Sequence, residues 1–312
     1  MKKGILTAIM FAAIAVMMLS GCGNSVEPSG SVEPSGSIDS SDNAKPSGSV
    51  EETYYPDGSK DIDEYDADGN RTKITYYNPD GSIRGWYTFE YDTDGNGMKQ
   101  TWYNSDGHID YWFEFEYDAN GSITKETYYT PDGFKDIAEY DADGNRTKNT
   151  VYNPDGHIDY WVELEYDADG NIVKETYYNP DGTIDYWYEN EYDTHGNRTK
   201  DTFYNPDGTI DYWAEHEYDA DGNRTKETGY NSDGSLSYED EYDADGYLMK
   251  ATHYNPDGSL SYEYEYDGHG NQTKGTWYNS DGTIDCWFEF EYDTDGIRTK
   301  ETWYNSDGSI RE

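Results

Sequence analysis

The sequence predicts an all-β fold: an elongated antiparallel β-hairpin repeat array of about 22 strands, a twisted or coiled meander, preceded by a signal helix and a disordered linker. Three observations predict it. Aspartyl-glycine reversals recur about every dozen residues, the arms between them are rich in aromatic and β-branched side chains, and the whole pattern repeats ten times in units of 23 to 26 residues. A helix would not tolerate so frequent a glycine punctuation.

The chain opens with Met1-Lys2-Lys3, continues through an apolar stretch from Gly4 to Leu19 and then reads Leu19-Ser20-Gly21-Cys22. Basic residues ahead of an apolar run too short to span a bilayer comfortably mark a secretory signal, so residues 1–21 are expected to leave the mature protein. Leu-Ser-Gly-Cys resembles the lipobox of bacterial lipoproteins. That resemblance implies cleavage before Cys22 and a diacylglyceryl group on its thiol, which makes the membrane the first expected partner, through a lipid anchor.

Residues 22–52 form the expected tether. Ser-Val-Glu-Pro-Ser-Gly occurs twice, at 25–30 and 31–36, and no aromatic residue appears between Gly23 and Glu52. Such a segment buries no apolar surface and is expected to stay disordered. As a coil it spans roughly 30 Å, and pulled straight roughly 100 Å, which holds the 53–312 repeat domain off the bilayer on its extracytoplasmic side.

Within 53–312 a Tyr-Asp pair recurs at Tyr65, Tyr91, Tyr117, Tyr140, Tyr166, Tyr192, Tyr218, Tyr242, Tyr266 and Tyr292, each followed by glycine four residues after the tyrosine. A cognate Pro/Ser-Asp-Gly turn alternates with it. From each of these tyrosines to the glycine of the following turn the count is always 16; the return arm is 10 residues in six cases, 8 in two and 7 in two. A strand has period two, so the arms shortened by two keep their facing, while those shortened by three predict irregular pairing near Ile62 and Ile137.

Charge suggests the register. A glutamate precedes every Tyr-Asp and a lysine lies nine residues after that glutamate, as in Glu165 with Lys174 and Glu191 with Lys200. A loop of two or four residues sets each pair directly opposite as a structural ion pair, whereas a three-residue loop breaks the pairing. In that register Ile184, Tyr186, Tyr188 and Tyr192 share one face, and Asp185, Trp187, Glu189 and Glu191 the other.

The repeat Tyr-Asp-Ala-Asp-Gly-Asn-Arg-Thr-Lys, at 140–148 and 218–226, resembles the YD repeats of Rhs and teneurin-type proteins. The resemblance covers about 53–312 and implies a β-sheet shell on secreted or surface proteins, in some members around a toxin. No Rhs core-like segment or toxin-like tail follows, and the chain stops in a half-unit at Glu312, so the architecture is what the resemblance carries over. MORN-type hairpin repeats are a looser geometric likeness.

Composition narrows the partners. Without Lys2 and Lys3, 66 acidic residues face 20 basic ones and the formal charge goes from -44 to -46, which argues against nucleic acid. Asp66-x-Asp68-x-Asn70 opens like an EF-hand loop, but Arg71 and Tyr77 stand where glycine and glutamate are needed. No metal site or cofactor is expected; the turn carboxylates are expected to bond their own backbone, and weak calcium binding by the acidic turns is the cation chemistry left open. Cys286 replaces a repeat tyrosine, the six histidines form no triad, and the carboxylates recur in every unit rather than standing singly, so no enzyme activity is expected.

All nine tryptophans occupy two repeat positions, and Trp161, Trp187 and Trp213 form the longest uninterrupted row. A solvent-facing row stacks on sugar rings; the alternative is cross-strand packing against threonine and tyrosine, the preferred reading. The expected function is therefore a non-enzymatic, lipid-anchored cell-envelope repeat protein acting in surface display, adhesion or as an interaction scaffold, with protein or glycan as partner. The alternatives are a glycan-binding module that uses the tryptophan row, and an Rhs-like shell component without toxin cargo.

Overall fold

A computed structural model describes residues 48–311, and in them every regular element is a β-strand. The expected signal helix, Cys22 and most of the tether lie outside the described residues. The described residues divide into two compact units, the first ending at Tyr117 and the second beginning at Asp118. The first holds β1 (Val50–Tyr54), β2 (Lys60–Tyr65), β3 (Arg71–Tyr77), β4 (Ile83–Tyr91), β5 (Gly97–Asn104) and β6 (Ile109–Tyr117). The second begins with β7 (Ile123–Tyr129), β8 (Lys135–Tyr140), β9 (Arg146–Tyr152), β10 (Ile158–Tyr166), β11 (Ile172–Tyr178), β12 (Ile184–Tyr192) and β13 (Arg198–Tyr204). It continues through β14 (Ile210–Tyr218), β15 (Arg224–Asn231), β16 (Leu236–Tyr242), β17 (Leu248–Tyr254), β18 (Leu260–Tyr266), β19 (Gln272–Tyr278), β20 (Ile284–Tyr292) and β21 (Arg298–Asn305). Inside each unit the strands pair antiparallel with their sequence neighbours, a hairpin repeat array as expected.

The strand number agrees with the expected count of about 22, and the two ends refine its bounds. The tether was expected to reach Glu52, yet β1 starts at Val50, which pairs with Glu64. The described residues hold 21 strands, because Ile310, where a further strand would begin, makes only an isolated bridge to Tyr304.

Both kinds of turn have one geometry. At the Tyr-Asp turn the Asp167 N–H donates to the Asn171 carbonyl at 3.0 Å and the Gly170 N–H to the Asp167 carbonyl at 3.2 Å. The Asn-Pro-Asp-Gly turn repeats this at Asn179, Thr183 and Gly182. The loop is thus three residues, a tight turn closed by a left-handed glycine; φ is 86° at both Gly170 and Gly182, a conformation other residues adopt only at a cost.

A three-residue loop was expected to break the glutamate–lysine pairing, and it does not. Tyr166 stands opposite Ile172 but Glu165 stands opposite Lys174, so Val173 is an extra residue, a β-bulge that restores the register. The nine Tyr-Asp hairpins that lie inside the two units all shift at this point. In six of them the bulged residue is threonine, whose hydroxyl donates to the carbonyl of the glutamate across the ladder; Thr199 to Glu191 at 3.3 Å and Thr225 to Glu217 at 3.2 Å are two.

The Pro/Ser-Asp-Gly hairpins bulge too, except at the two 7-residue arms. Tyr178 pairs with Ile184 and Tyr177 with Tyr186, leaving Asp185 as the extra residue. This corrects the expected facing: Tyr178 shares a face with Trp161, and cross-strand partners share a face, so Ile184 lies on the tryptophan face and not with Tyr186 and Tyr188. The expected irregularity near Ile62 and Ile137 is also reversed. There the pairing runs without a shift, Thr127 to Ile137 and Glu52 to Ile62, and the 7-residue arm is short because it lacks both the bulge and two strand residues.

Burial runs along the strand midlines. On the tryptophan face the threonines are covered, among them Thr176, Thr202 and Thr228; on the opposite face Val162, Leu164, Ala214, Ala251 and Phe288 are. Aromatic rings roof the smaller side chains there: Tyr186 lies 4.4 Å from Tyr177 and 5.2 Å from Phe203, and Phe203 stacks on Tyr212 at 5.2 Å. Rings at adjacent strands close the small-residue midline against water without a second layer.

Candidate functional site

The tryptophan face is built from one rung repeated. Threonine sits at mid-strand opposite a tryptophan on the next strand, Thr150 to Trp161, Thr176 to Trp187 and Thr202 to Trp213. Each indole then stacks on the tyrosine of the strand that follows. Trp161 and Tyr178 have ring centroids 5.0 Å apart with planes at 10°, Trp187 and Tyr204 4.8 Å at 8°, Trp213 and Tyr230 4.9 Å at 12°. A lysine ammonium takes the other side, Lys148 at 5.5 Å from the Trp161 ring and Lys174 at 5.8 Å from that of Trp187.

The three tryptophans expected as a ligand row are therefore half-buried and each is packed across strands against threonine and tyrosine. The Trp187 indole N–H is buried with no hydrogen-bond partner. Tyr178, next to Trp161, donates its hydroxyl to Glu163 at 3.0 Å, and burial together with that carboxylate pushes its phenol up.

The lysines form ladders. Lys174 stands between Glu165 and Glu189, and Lys200 between Glu191 and Glu215. The expected register is observed, but the ion pairs choose sides: Lys174 approaches Glu189 at 3.8 Å rather than Glu165, while Lys200 approaches Glu191 at 3.8 Å. Lys226 and Glu239 meet at 2.6 Å.

The turns hold their own carboxylates, as expected of Asx residues. Asp167 Oδ1 accepts the N–H groups of Asp169 and Asn171 at 2.9 Å, and Oδ2 accepts the Asn171 amide at 2.9 Å. These bonds hold the Asp167 carboxyl below its ordinary range. Among the described residues no group of three or more His, Cys, Asp or Glu side chains is arranged to hold a metal ion. Cys286 stands opposite Trp277 as Tyr186 stands opposite Tyr177, and burial pushes its thiol up.

One constellation escaped the sequence reading. On the aromatic face His216 Nε2 meets Asp201 Oδ1 at 2.6 Å, and its Nδ1 faces Glu227 Oε2 at 3.5 Å, an ion-pair distance without hydrogen-bond alignment. Glu227 is further bonded by Arg224 and by the Tyr238 hydroxyl at 2.5 Å. The two carboxylates raise the His216 pKa, and its imidazolium with Tyr238 and Arg224 lowers Glu227 to about 2. His216 is 6% exposed and occupies the repeat position of buried Phe115 and Leu164. A basic residue at a core position was the available signal.

Six stretches, 82–128, 152–189, 186–229, 215–253, 230–276 and 254–291, match the profile of the family described as "Protein of unknown function (DUF2963)". No curated protein matches the sequence. Among solved structures the chain is similar to the crystal structure of TcdB2-TccC3-TEV, with 12% identity and a TM-score of 0.24 over 81% of this chain and 19% of that one. It is similar also to a porin-like protein from Bacteroides uniformis ATCC 8492, with 11% identity and a TM-score of 0.29 over 81% and 92% of the two chains. The chain thus spans 19% of the length of the first of these.

Proposed function

The chain belongs to the DUF2963 family, whose description names no activity, and from its own chemistry we propose that it is a non-enzymatic, lipid-anchored scaffold displayed outside the cytoplasmic membrane for contact with a protein or glycan. The observation that carries this reading is the recurrence of one lysine–tryptophan–tyrosine rung on one face. A lattice of identical rungs at alternate strands, roughly 10 Å apart, offers a partner many equivalent contacts, whereas catalysis needs a singular reactive group. The Asp201–His216–Glu227 cluster is singular, but Arg224 and Tyr238 complete it as a closed set of charge-assisted bonds, the chemistry of a structural ion cluster.

The anchor and display are tested together. Cells expressing the full chain are labelled with an alkyne fatty acid and treated with protease from outside. The expected result is label on the wild type and none on Cys22→Ser, with the repeat domain digested or antibody-stained on intact cells. Absence of both label and surface staining removes the reading. Retention of a partner from cell-wall extract by the lipidated chain supports the scaffold role.

A further inference from the structure

We propose that the groove over Ile137, at the head of the Trp161 row, is a carbohydrate subsite that takes a single pyranose ring. The inference rests on the scaffold reading above and names its partner.

The groove exists because a rung is missing. In each 10-residue arm of the second unit a tryptophan faces the threonine of the preceding strand, as Trp187 faces Thr176 and Trp213 faces Thr202. Strand β8 closes a 7-residue arm, and Ile137 faces Thr127 instead. Ile137 thus stands opposite Thr127 where the 10-residue arms have an indole, and on the β9 side Lys135 rather than a tryptophan stands opposite Tyr152; the space left is a groove of about 340 Å³. That is near the lower end of ordinary ligand pockets, the size for a small ring rather than a large cofactor.

Its walls select the ring. Trp161, with Tyr178 stacked on its β11 side and the Lys148 ammonium 5.5 Å from its ring, lines the groove together with Tyr152, so a sugar ring entering there displaces the lysine from the indole. Ile137 and Thr150 lie across from each other between β8 and β9 and form the floor. Lys125, Glu139 and Lys148 surround the opening with donors and acceptors of both kinds. One flat apolar wall beside several hydrogen-bonding side chains suits a ring with one face of C–H bonds and a rim of hydroxyls, which is a pyranose; an indole or phenyl side chain would leave the polar rim unanswered. The cleft is open to solvent, so a longer chain extends from it.

The first unit supplies an internal control. Ile62, Thr75, Tyr77 and Trp86 occupy the same repeat positions, but Val50 stands where Lys125 does. The proposal assigns sugar binding to the Ile137 groove alone.

The test uses the full chain, with chitotriose, cellotriose and maltotriose as probes in calorimetry and tryptophan fluorescence. At least one trisaccharide is expected to bind. Ile137→Trp, which sets an indole opposite Thr127 and fills the groove floor, should lower that affinity at least 10-fold. Ile62→Trp should leave it unchanged, and Glu139→Gln, an exposed change that spares the fold, should weaken it several-fold. Binding of no probe overturns the proposal, as does an Ile137→Trp protein that binds like the wild type or an Ile62→Trp protein that loses as much. Should all three sugars fail while the lipidated chain still retains a cell-wall protein, the subsite falls and the scaffold reading stands.

Discussion

The Tyr192 hydroxyl donates to the backbone carbonyl of Ile172 at 2.9 Å, and the same bond recurs from Tyr91, Tyr117, Tyr166, Tyr218 and Tyr292 to a carbonyl twenty residues earlier. These six tyrosines are the ones that end 10-residue arms. The two extra residues of the long arm carry the ring past the bulge of the preceding strand, where the ladder has left a carbonyl without its regular partner. In the 7-residue arms Tyr65 and Tyr140 reach Glu51 and Glu126 instead. Tyr192→Phe should therefore cost about 0.5–1.5 kcal/mol in urea unfolding. Tyr266→Phe, at the end of an 8-residue arm, should cost clearly less, and equal losses would reject the capping role.

The bulge threonine makes a second repeat bond that a substitution can restore. Val173 occupies the bulge of the Glu165–Lys174 hairpin and has no hydroxyl, whereas Thr199 and Thr225 bond the carbonyl of the facing glutamate. Val173→Thr is expected to stabilise the protein by about 0.5–1 kcal/mol and Thr225→Val to destabilise it by a similar amount. Denaturant midpoints at constant slope read both. A destabilised Val173→Thr would show that packing, not the hydroxyl, decides this position.

These bonds also separate what was legible in the sequence from what was not. The strand ends follow the aspartyl-glycine beat closely; β12 runs Ile184–Tyr192 between the turns that predict it. The bulges at Val173 and Asp185 were hidden because counting from the turn sees only the total. A three-residue loop plus one extra residue gives the same glutamate–lysine register as a four-residue loop. The short arms were misread for the same reason, since Ile137 is the regular case and the long arms are the bulged ones. The His216 cluster was illegible because Asp201, His216 and Glu227 come from three strands and meet only once the register is known.

The charge ladder predicts unequal couplings. Lys226 and Glu239 lie 2.6 Å apart, while Lys174 faces Glu189 at 3.8 Å and leaves Glu165 without an ion-pair contact. Double-mutant cycles should give Lys226–Glu239 up to about 1 kcal/mol and Glu165–Lys174 near zero, because the lysines are partly exposed and water screens them. Raising salt to about 1 M should erase most of the larger value. Equal coupling in the two pairs would mean that register alone, and not side-chain approach, sets the energy.

His216 gives the second unit a pH dependence with a definite sign. Its folded pKa lies above the ordinary 6.5, raised by Asp201 and Glu227. Its stabilising contribution is therefore complete below about 6.5 and is lost as pH rises through the folded value. Glu227, held at about 2 against an ordinary 4.5, contributes above 4.5 and loses that contribution as pH falls towards 2. Arg198, Arg224 and Tyr238 face the same cluster, and half-buried Asp240 carries a raised carboxyl that favours acid. Asp240 is present in both proteins when the wild type is compared with His216→Gln, so its term largely cancels. The variant should lose about 1–3 kcal/mol at pH 6, because Asp201 is left with a neutral partner in a covered site. That difference should shrink steadily from pH 7 upward as the wild-type imidazolium deprotonates. A difference that is flat from pH 6 to 9 would mean that His216 is packed neutral, as Phe115 and Leu164 are at the same position.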